Sequence, residues 1–272
     1  MTMLRAENLT LAYDGTPVVH DLSVDIPRGK ITLIVGANAC GKSTLLRGLA
    51  RLLVPRGGTV YLDDLDVRRV PGGELATKLG LLPQQPVAPE GITVGDLVGR
   101  GRHPHQRWFR QWTPEDERVV TEALAATGTA DLVDRSLDQL SGGQRQRVWI
   151  ALALAQDAGT MLLDEPTTFL DLAHQLEILD LVQDLNREHG KTVVLVLHDL
   201  NLASRYADHL IALKSGTVVA TGTPSEVITP ETVQQVFGLA CEVIPDPLTG
   251  TPLVLPRPRP DQAGASPRTG VR

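Results

Sequence analysis

The residues Gly36-Ala37-Asn38-Ala39-Cys40-Gly41-Lys42-Ser43, followed by Thr44, have the spacing of a phosphate cradle: a glycine, four residues, then Gly-Lys-Ser. Glycines let backbone N–H groups turn inward and approach phosphate oxygens closely. A helix opening near Ser43 adds partial positive charge from its unpaired amides. Lys42 is then a point charge for β- and γ-phosphates, and the Ser43 hydroxyl is a candidate Mg²⁺ ligand. The dinucleotide spacing G-x-G-x-x-G is not met, which argues against that binding mode.

A second element is Thr160-Met161-Leu162-Leu163-Asp164-Glu165, an apolar run ending in two carboxylates. Alone it reads equally well as a solvated strand end. Beside a phosphate cradle, Asp164 is placed to hold the water shell of Mg²⁺ and Glu165 to polarise a water, the two groups phosphoryl transfer needs. A third element is Leu140-Ser141-Gly142-Gly143-Gln144. Ser141 and Gln144 have capping-box spacing. The two glycines beside a serine cap make a second anion site at a helix N-terminus, with an ordinary capped helix as the alternative.

The elements that position these residues read as an α/β chain. Ile31–Val35, Met161–Leu163 and Val193–Leu197 are short apolar runs without alternation, as expected of strands buried on both faces of a parallel sheet. Helical stripes follow two of them: Leu45, Leu46, Leu49, Leu52 and Leu53 after the first, and Leu172, Leu176, Leu179, Val182 and Leu185 after the second. Asp171 is placed to cap the second helix. Asp14-Gly15 predicts a hairpin between Leu9–Tyr13 and Val18–Val24. Between about 86 and 139 strands are not evident, and Thr113-Pro114-Glu115-Asp116 predicts a helix start that Gly128 ends. From Pro256 the composition cannot bury a core.

Across the 272 residues, 26 basic side chains face 32 acidic ones, a formal charge of −6 whose total shows no basic footprint for nucleic acid, with a local patch as the alternative. Aromatics are 3%, so Leu, Val, Ile and Ala must build the core. Cys40 and Cys241 are too few and too distant for a disulfide framework or a zinc spacing. The apolar windows fall short of the roughly 20 residues that span a bilayer.

Together these motifs resemble the ATP-binding cassette ATPases, whose signature LSGGQ stands intact here between a phosphate loop and Leu162-Leu163-Asp164-Glu165-Pro166. The resemblance runs from about residue 4 to 237. It implies a P-loop NTPase (RecA-like) fold: a mainly parallel sheet with an antiparallel β subdomain and a helical insertion. With it the chain divides into an ATPase domain at 1–240 with a helical subdomain inserted at 86–157 and a C-terminal extension at 241–255, and the composition adds a disordered tail at 256–272. It implies ATP and Mg²⁺ as cofactors. Tyr13 would stack on adenine, with a cross-strand core residue as the alternative. Gln84 would contact Mg²⁺ and open the insertion. Glu165 would be the catalytic base, and His198 the switch that contacts the γ-phosphate, or else a polar strand end. Asp171 would belong to a loop crossing a dimer interface. Ser141 and Gly143, with Gly142 and Gln144 of the same motif, would meet ATP bound to a second copy or a homologous ATPase. Ala37 and Ala39 depart from the family's usual proline and glycine.

Arg100-Gly101-Arg102-His103-Pro104-His105-Gln106, then Trp112 and Glu115-Asp116-Glu117, resembles the helical region of ATPases that power iron–siderophore importers. The implied function is the ATP-hydrolysing motor of such an importer at the cytoplasmic face of the cell membrane. Its implied partners are transmembrane permease subunits and, indirectly, a substrate-binding lipoprotein or periplasmic protein. Vitamin B12 and haem importers are the near alternatives, and a soluble cassette ATPase of translation or DNA repair is the alternative from another class. His103 and His105 lack carboxylate or cysteine partners at metal-ligand spacing.

Overall fold

The computed structural model describes residues 2–106, 112–168 and 170–258. The Asp14-Gly15 turn joins β1 (Thr2–Tyr13) and β2 (Thr16–Pro27), both longer than the strands expected from the sequence. Both turn residues have positive φ, which matches the turn to the twist of its strands. Next come β3 (Ile31–Gly36), α1 (Lys42–Leu49), β4 (Gly57–Leu62) and β5 (Leu65–Asp66). A four-stranded antiparallel sheet runs β2-β1-β4-β5. Helix α1 is shorter than its leucine stripe. Leu45, Leu46 and Leu49 are buried, whereas Leu52 is exposed and Leu53 lies beyond the helix. The cause is Arg51, which adopts positive φ and donates to the Val67 and Val70 carbonyls, turning the chain away.

Helix α2 (Gly72–Lys78) leads into β6 (Leu79–Leu82). Then follow α3 (Val94–Gly99), a 3-10 turn at Arg100–His105, α4 (Pro114–Ala126) and α5 (Gly142–Ala155). Between β6 and α5 the described residues pair as strands only at an isolated Thr93–Ser136 bridge. Thr113 and Asp116 close a capping box on α4, and Ser141 and Gln144 close one on α5. The α4 helix ends at Ala126 with Thr127 as its C-cap, and Gly128 follows with φ 61°, the stop expected from the sequence.

The chain continues through β7 (Thr160–Leu163), α6 (Leu172–His189), β8 (Thr192–Val196), α7 (Leu200–Tyr206), β9 (His209–Lys214) and β10 (Thr217–Gly222). Asp171 caps α6 by accepting from the His174 amide. Short helices α8 (Pro224–Val227) and α9 (Pro230–Phe237) precede a hairpin of β11 (Cys241–Pro245) and β12 (Pro252–Pro256). The hairpin occupies the expected extension and takes in Pro256. Residues 259–272, on which the disordered-tail expectation falls, lie outside the described residues.

The main sheet has the order β10-β9-β3-β8-β7-β6, parallel except for β10. Leu33, Val35, Leu163 and Leu195 face one core, and Ile34, Leu162, Val194 and Val196 face the other. This two-residue alternation, with both faces covered, is why the strands read as unbroken apolar runs. Each such side chain contributes about 1.5–3 kcal/mol on burial. Four adjacent strands end at one edge, so the residues after their carboxyl ends converge there: Gly36, Gln84, Asp164 and His198. Open α/β sheets bind ligands at that edge.

Candidate functional site

At the end of β3 only glycine fits position 36. A Cβ there would lie 2.4 Å from the Leu213 carbonyl oxygen and 2.7 Å from the Cys40 sulfur. The chain therefore turns tightly against β9 before climbing into the loop. Cys40 is buried under this turn, and burial pushes its thiol pKa up, so it packs rather than reacts. Ala39 adopts φ 59°, the left-handed region where glycine is at ease. Its methyl costs on the order of 1 kcal/mol there, which accounts for the family's preference for glycine.

Helix α1 begins after Gly41 with no side-chain cap and no acid in its first turn. Its first amides are thus open donors beside a positive helix end. Lys42 is buried, 5% exposed, and its Nζ donates to the Gly36 and Ala37 carbonyls at 3.0 Å each. One of its three ammonium donors remains for a phosphate oxygen.

The Ser43 hydroxyl donates to Asp164 Oδ1 at 2.8 Å, and the Asp164 amide donates to the Leu82 carbonyl. Burial raises the Asp164 carboxyl pKa, and Glu165 nearby pushes it the same way. The Ser43 hydrogen bond, Arg47 and Lys42 act against them. Hydroxyl and carboxylate together offer hard oxygen donors that suit Mg²⁺, with phosphate and water to complete its shell. Among the described residues no cluster of three or more His, Cys, Asp or Glu side chains forms a competing all-protein cage.

Glu165 follows with φ 51°, a conformation that L side chains rarely adopt. Its Oε1 meets His198 Nε2 at 2.7 Å, and its Oε2 accepts from Gln84 Nε2 and from the Thr168 hydroxyl at 3.0 Å. Two other segments, through Gln84 and His198, and its own turn, through Thr168, therefore fix this carboxylate. A cleft of about 590 Å³ opens beside it. Asn38, Ala39, Gly41, Lys42, Ser43 and Thr44 line it, together with Gln84, Glu165, His198 and Val18 of β2. A fixed carboxylate within reach of a cradled phosphate can orient a water and accept its proton.

The other expected residues fall elsewhere. Gly36, Ala37 and Cys40 support the loop without lining the cleft. Tyr13 ends β1, 39% exposed, and its hydroxyl accepts from Arg47 Nη1 at 3.2 Å. Ser141, Gly142, Gly143 and Gln144 form the start of α5, outside the cleft. Gly143 abuts α6, since a Cβ on it would stand 2.7 Å from the His174 ring. Asp171 caps α6 and holds His174 Nδ1 at 2.7 Å, so the signature turn and the Asp171 turn make one surface. Val18, Thr168 and His174 carry no sequence motif. Thr168, three residues after Glu165, and His174, three after Asp171, have spacings suited to a local side-chain hydrogen bond, whereas Val18 has no such signal.

The family model described as "ABC transporter" matches residues 19–168. The ferric enterobactin transport ATP-binding protein FepC of Escherichia coli (strain K12) is 53% identical over 253 residues, covering 93% of each chain. Among solved structures, a chain from a metal-chelate type ABC transporter in an inward-facing conformation superposes with a TM-score of 0.81 at 30% identity, covering 94% of this chain and 98% of that one. A bacterial ABC transporter cassette solved as a dimer gives a TM-score of 0.72 at 31% identity, covering 81% of this chain and 98% of that one. A phosphate loop at the carboxyl edge of a parallel sheet, an oriented glutamate beside it and an intact LSGGQ helix start all agree with these likenesses: the chain belongs to the ABC transporter family, as an ATP-binding subunit of the kind that hydrolyses ATP to drive transport.

Proposed function

We propose that this chain hydrolyses ATP at a site shared between two copies and thereby powers import of a ferric chelate of the siderophore class. The observation that carries the reading is Glu165, fixed by Gln84, Thr168 and His198 beside the phosphate loop. In this reading the α1 amides and Lys42 hold the β- and γ-phosphates. Ser43 and Asp164, with Gln84 near them, would hold Mg²⁺, which would supply positive charge against the phosphates. Tyr13 stacks on adenine at the exposed end of β1. Glu165 takes a proton as the water oxygen bonds to the γ-phosphorus, and the bond to the bridging oxygen breaks to leave ADP and phosphate. His198 keeps Glu165 aimed and senses the γ-phosphate.

The α5 N-terminus is the missing wall. Ser141 and Gly142 are exposed and lie outside their own cleft, so they are free to meet ATP held by a second copy. Asp171 lies on the same surface. The dimeric cassette among the solved structures supports this arrangement. Among the described residues no helix is long and apolar enough to cross a membrane. We therefore assign the membrane path to separate permease subunits that hold this chain at the cytoplasmic face. A binding lipoprotein or periplasmic protein would deliver the chelate from the far side. The enterobactin-transport relative supports the ferric chelate over vitamin B12 or haem.

Glu165→Gln tests the reading. It should bind ATP normally while phosphate release slows by roughly 10²–10⁴, the usual worth of a general base. Phosphate release at the unmodified rate would refute the assignment.

A further inference from the structure

The Arg100–His105 turn has no place in the nucleotide chemistry, yet it is built against the end of the helix that carries Ser141. Gly101 lies flush with that end: a Cβ on it would stand 2.5 Å from the Leu152 carbonyl oxygen and 2.9 Å from the Gln156 amide. Arg102, 4% exposed, donates Nη1 to the Ala155 carbonyl at 3.0 Å and Nε to Asp116 Oδ1 at 2.9 Å. The other Asp116 oxygen accepts from the Thr113 amide and hydroxyl, closing the cap of α4. His105 Nε2 donates to the Gln156 carbonyl at 2.7 Å. The final carbonyls of a helix have no partners inside it, and here two side chains of one turn take two of them.

Gln156 carries the connection onward. Its side-chain amide donates to the Ala76 carbonyl at 2.7 Å, and its Oε1 lies 2.8 Å from where a Cβ on Gly80 would be. Gly80 is in β6, whose end leads to Gln84. Helix α5 is thus gripped at its C-terminus by Arg102, tied to α4, and by Gln156, tied to the strand that leads to Gln84. Its N-terminus, about 21 Å away for 14 residues, is the Ser141 turn. A straight helix held at one end presents the other at a set angle. The charges of Arg102 and Asp116 are both buried and paired, an arrangement whose best-attested use is to specify one geometry.

We propose that Arg102, supported by His105 and Gln156, is a positioning residue for the contact between copies. It sets the tilt of α5 at which Ser141 of one copy meets ATP bound to the other. The proposal rests on the shared-site reading above and assigns a physical role to the R-G-R-x-P-H segment.

The test uses the full chain. ATP affinity is measured by calorimetry, turnover by phosphate release, and ATP-driven self-association by light scattering in the Glu165→Gln background. Arg102→Gln should keep the ATP dissociation constant within twofold, weaken self-association at least tenfold and lower kcat to a similar degree. Arg102→Lys, which keeps the charge but loses the fork, should fall between. His105→Ala and Gln156→Ala leave the ion pair in place and should lower kcat about threefold at unchanged ATP affinity. They decide the matter if Arg102→Gln does not fold. Self-association and kcat within twofold of the parent in all of these variants would overturn the proposal. So would ATP affinity and thermal midpoint falling in step with kcat, the mark of a merely structural role. A Glu165→Gln parent that stays single with ATP would overturn the shared site and this proposal together, whereas a parent that pairs alongside variants that pair equally well would overturn this proposal alone.

Discussion

Lys42 is held in place before any phosphate arrives, because the Gly36 and Ala37 carbonyls grip its buried ammonium. Its one remaining donor would give a phosphate oxygen a charge-assisted hydrogen bond, worth about 1.5–3 kcal/mol. Lys42→Ala should therefore weaken ATP binding at least tenfold, and an unchanged dissociation constant in calorimetry would sink that role. Asp164 shows the cost of the site to the fold. Burial raises its pKa, so the folded state holds that proton more tightly than the unfolded chain. Stability then falls as pH rises from the ordinary carboxylate value, about 4, to the raised one, and the penalty persists at neutral pH. Asp164→Asn keeps an acceptor for Ser43 and removes the charge. We expect it to raise the thermal midpoint of the nucleotide-free protein at pH 7, to lose that advantage below about pH 4, and to abolish Mg²⁺-dependent turnover. An unchanged midpoint at pH 7 would contradict this.

At the scale of elements, the site depends on strand ends and caps. Helix α7 starts directly after His198, and Asp199 caps it by accepting from the Asn201 and Leu202 amides. Asp199→Ala should lower stability by about 1 kcal/mol in denaturant titration, the usual worth of a cap; a midpoint identical to the parent would show that the cap is idle. Elements with local causes are legible in the sequence. Strands β3, β7 and β8 are covered on both faces and so read as unbroken apolar runs, and the caps at Thr113, Ser141 and Asp171 sit at fixed spacings from their helices. Strand β6 was hidden because it is four residues long and contains Gly80, and its place depends on pairing with β7. The α1 stripe overran because periodicity carries no trace of Arg51 reaching two distant carbonyls. The phosphate loop, Asp164, Glu165 and Gln84 could be named from motif spacing and family likeness. Val18 and Thr168 could not, since packing brings the one beside the loop and a turn brings the other onto Glu165.

At the scale of the molecule, one chain contains a nucleotide cleft and, on another surface, a capped helix start suited to an anion. The two do not meet within the chain. In the proposed reading, pairing two copies would bring each to the other twice over and would make the γ-phosphate the joint that hydrolysis removes. A permease attached to both copies would receive that opening and closing as mechanical work. In that reading the membrane partner would select the chelate.

The most direct test is the mass in solution of Glu165→Gln, measured by light scattering with and without ATP, alone and combined with Ser141→Arg. The shared-site account predicts twice the single-chain mass with ATP, single-chain mass without it, and no doubling once Ser141→Arg is present. A single-chain mass under saturating ATP, or a doubling that survives Ser141→Arg, would contradict it.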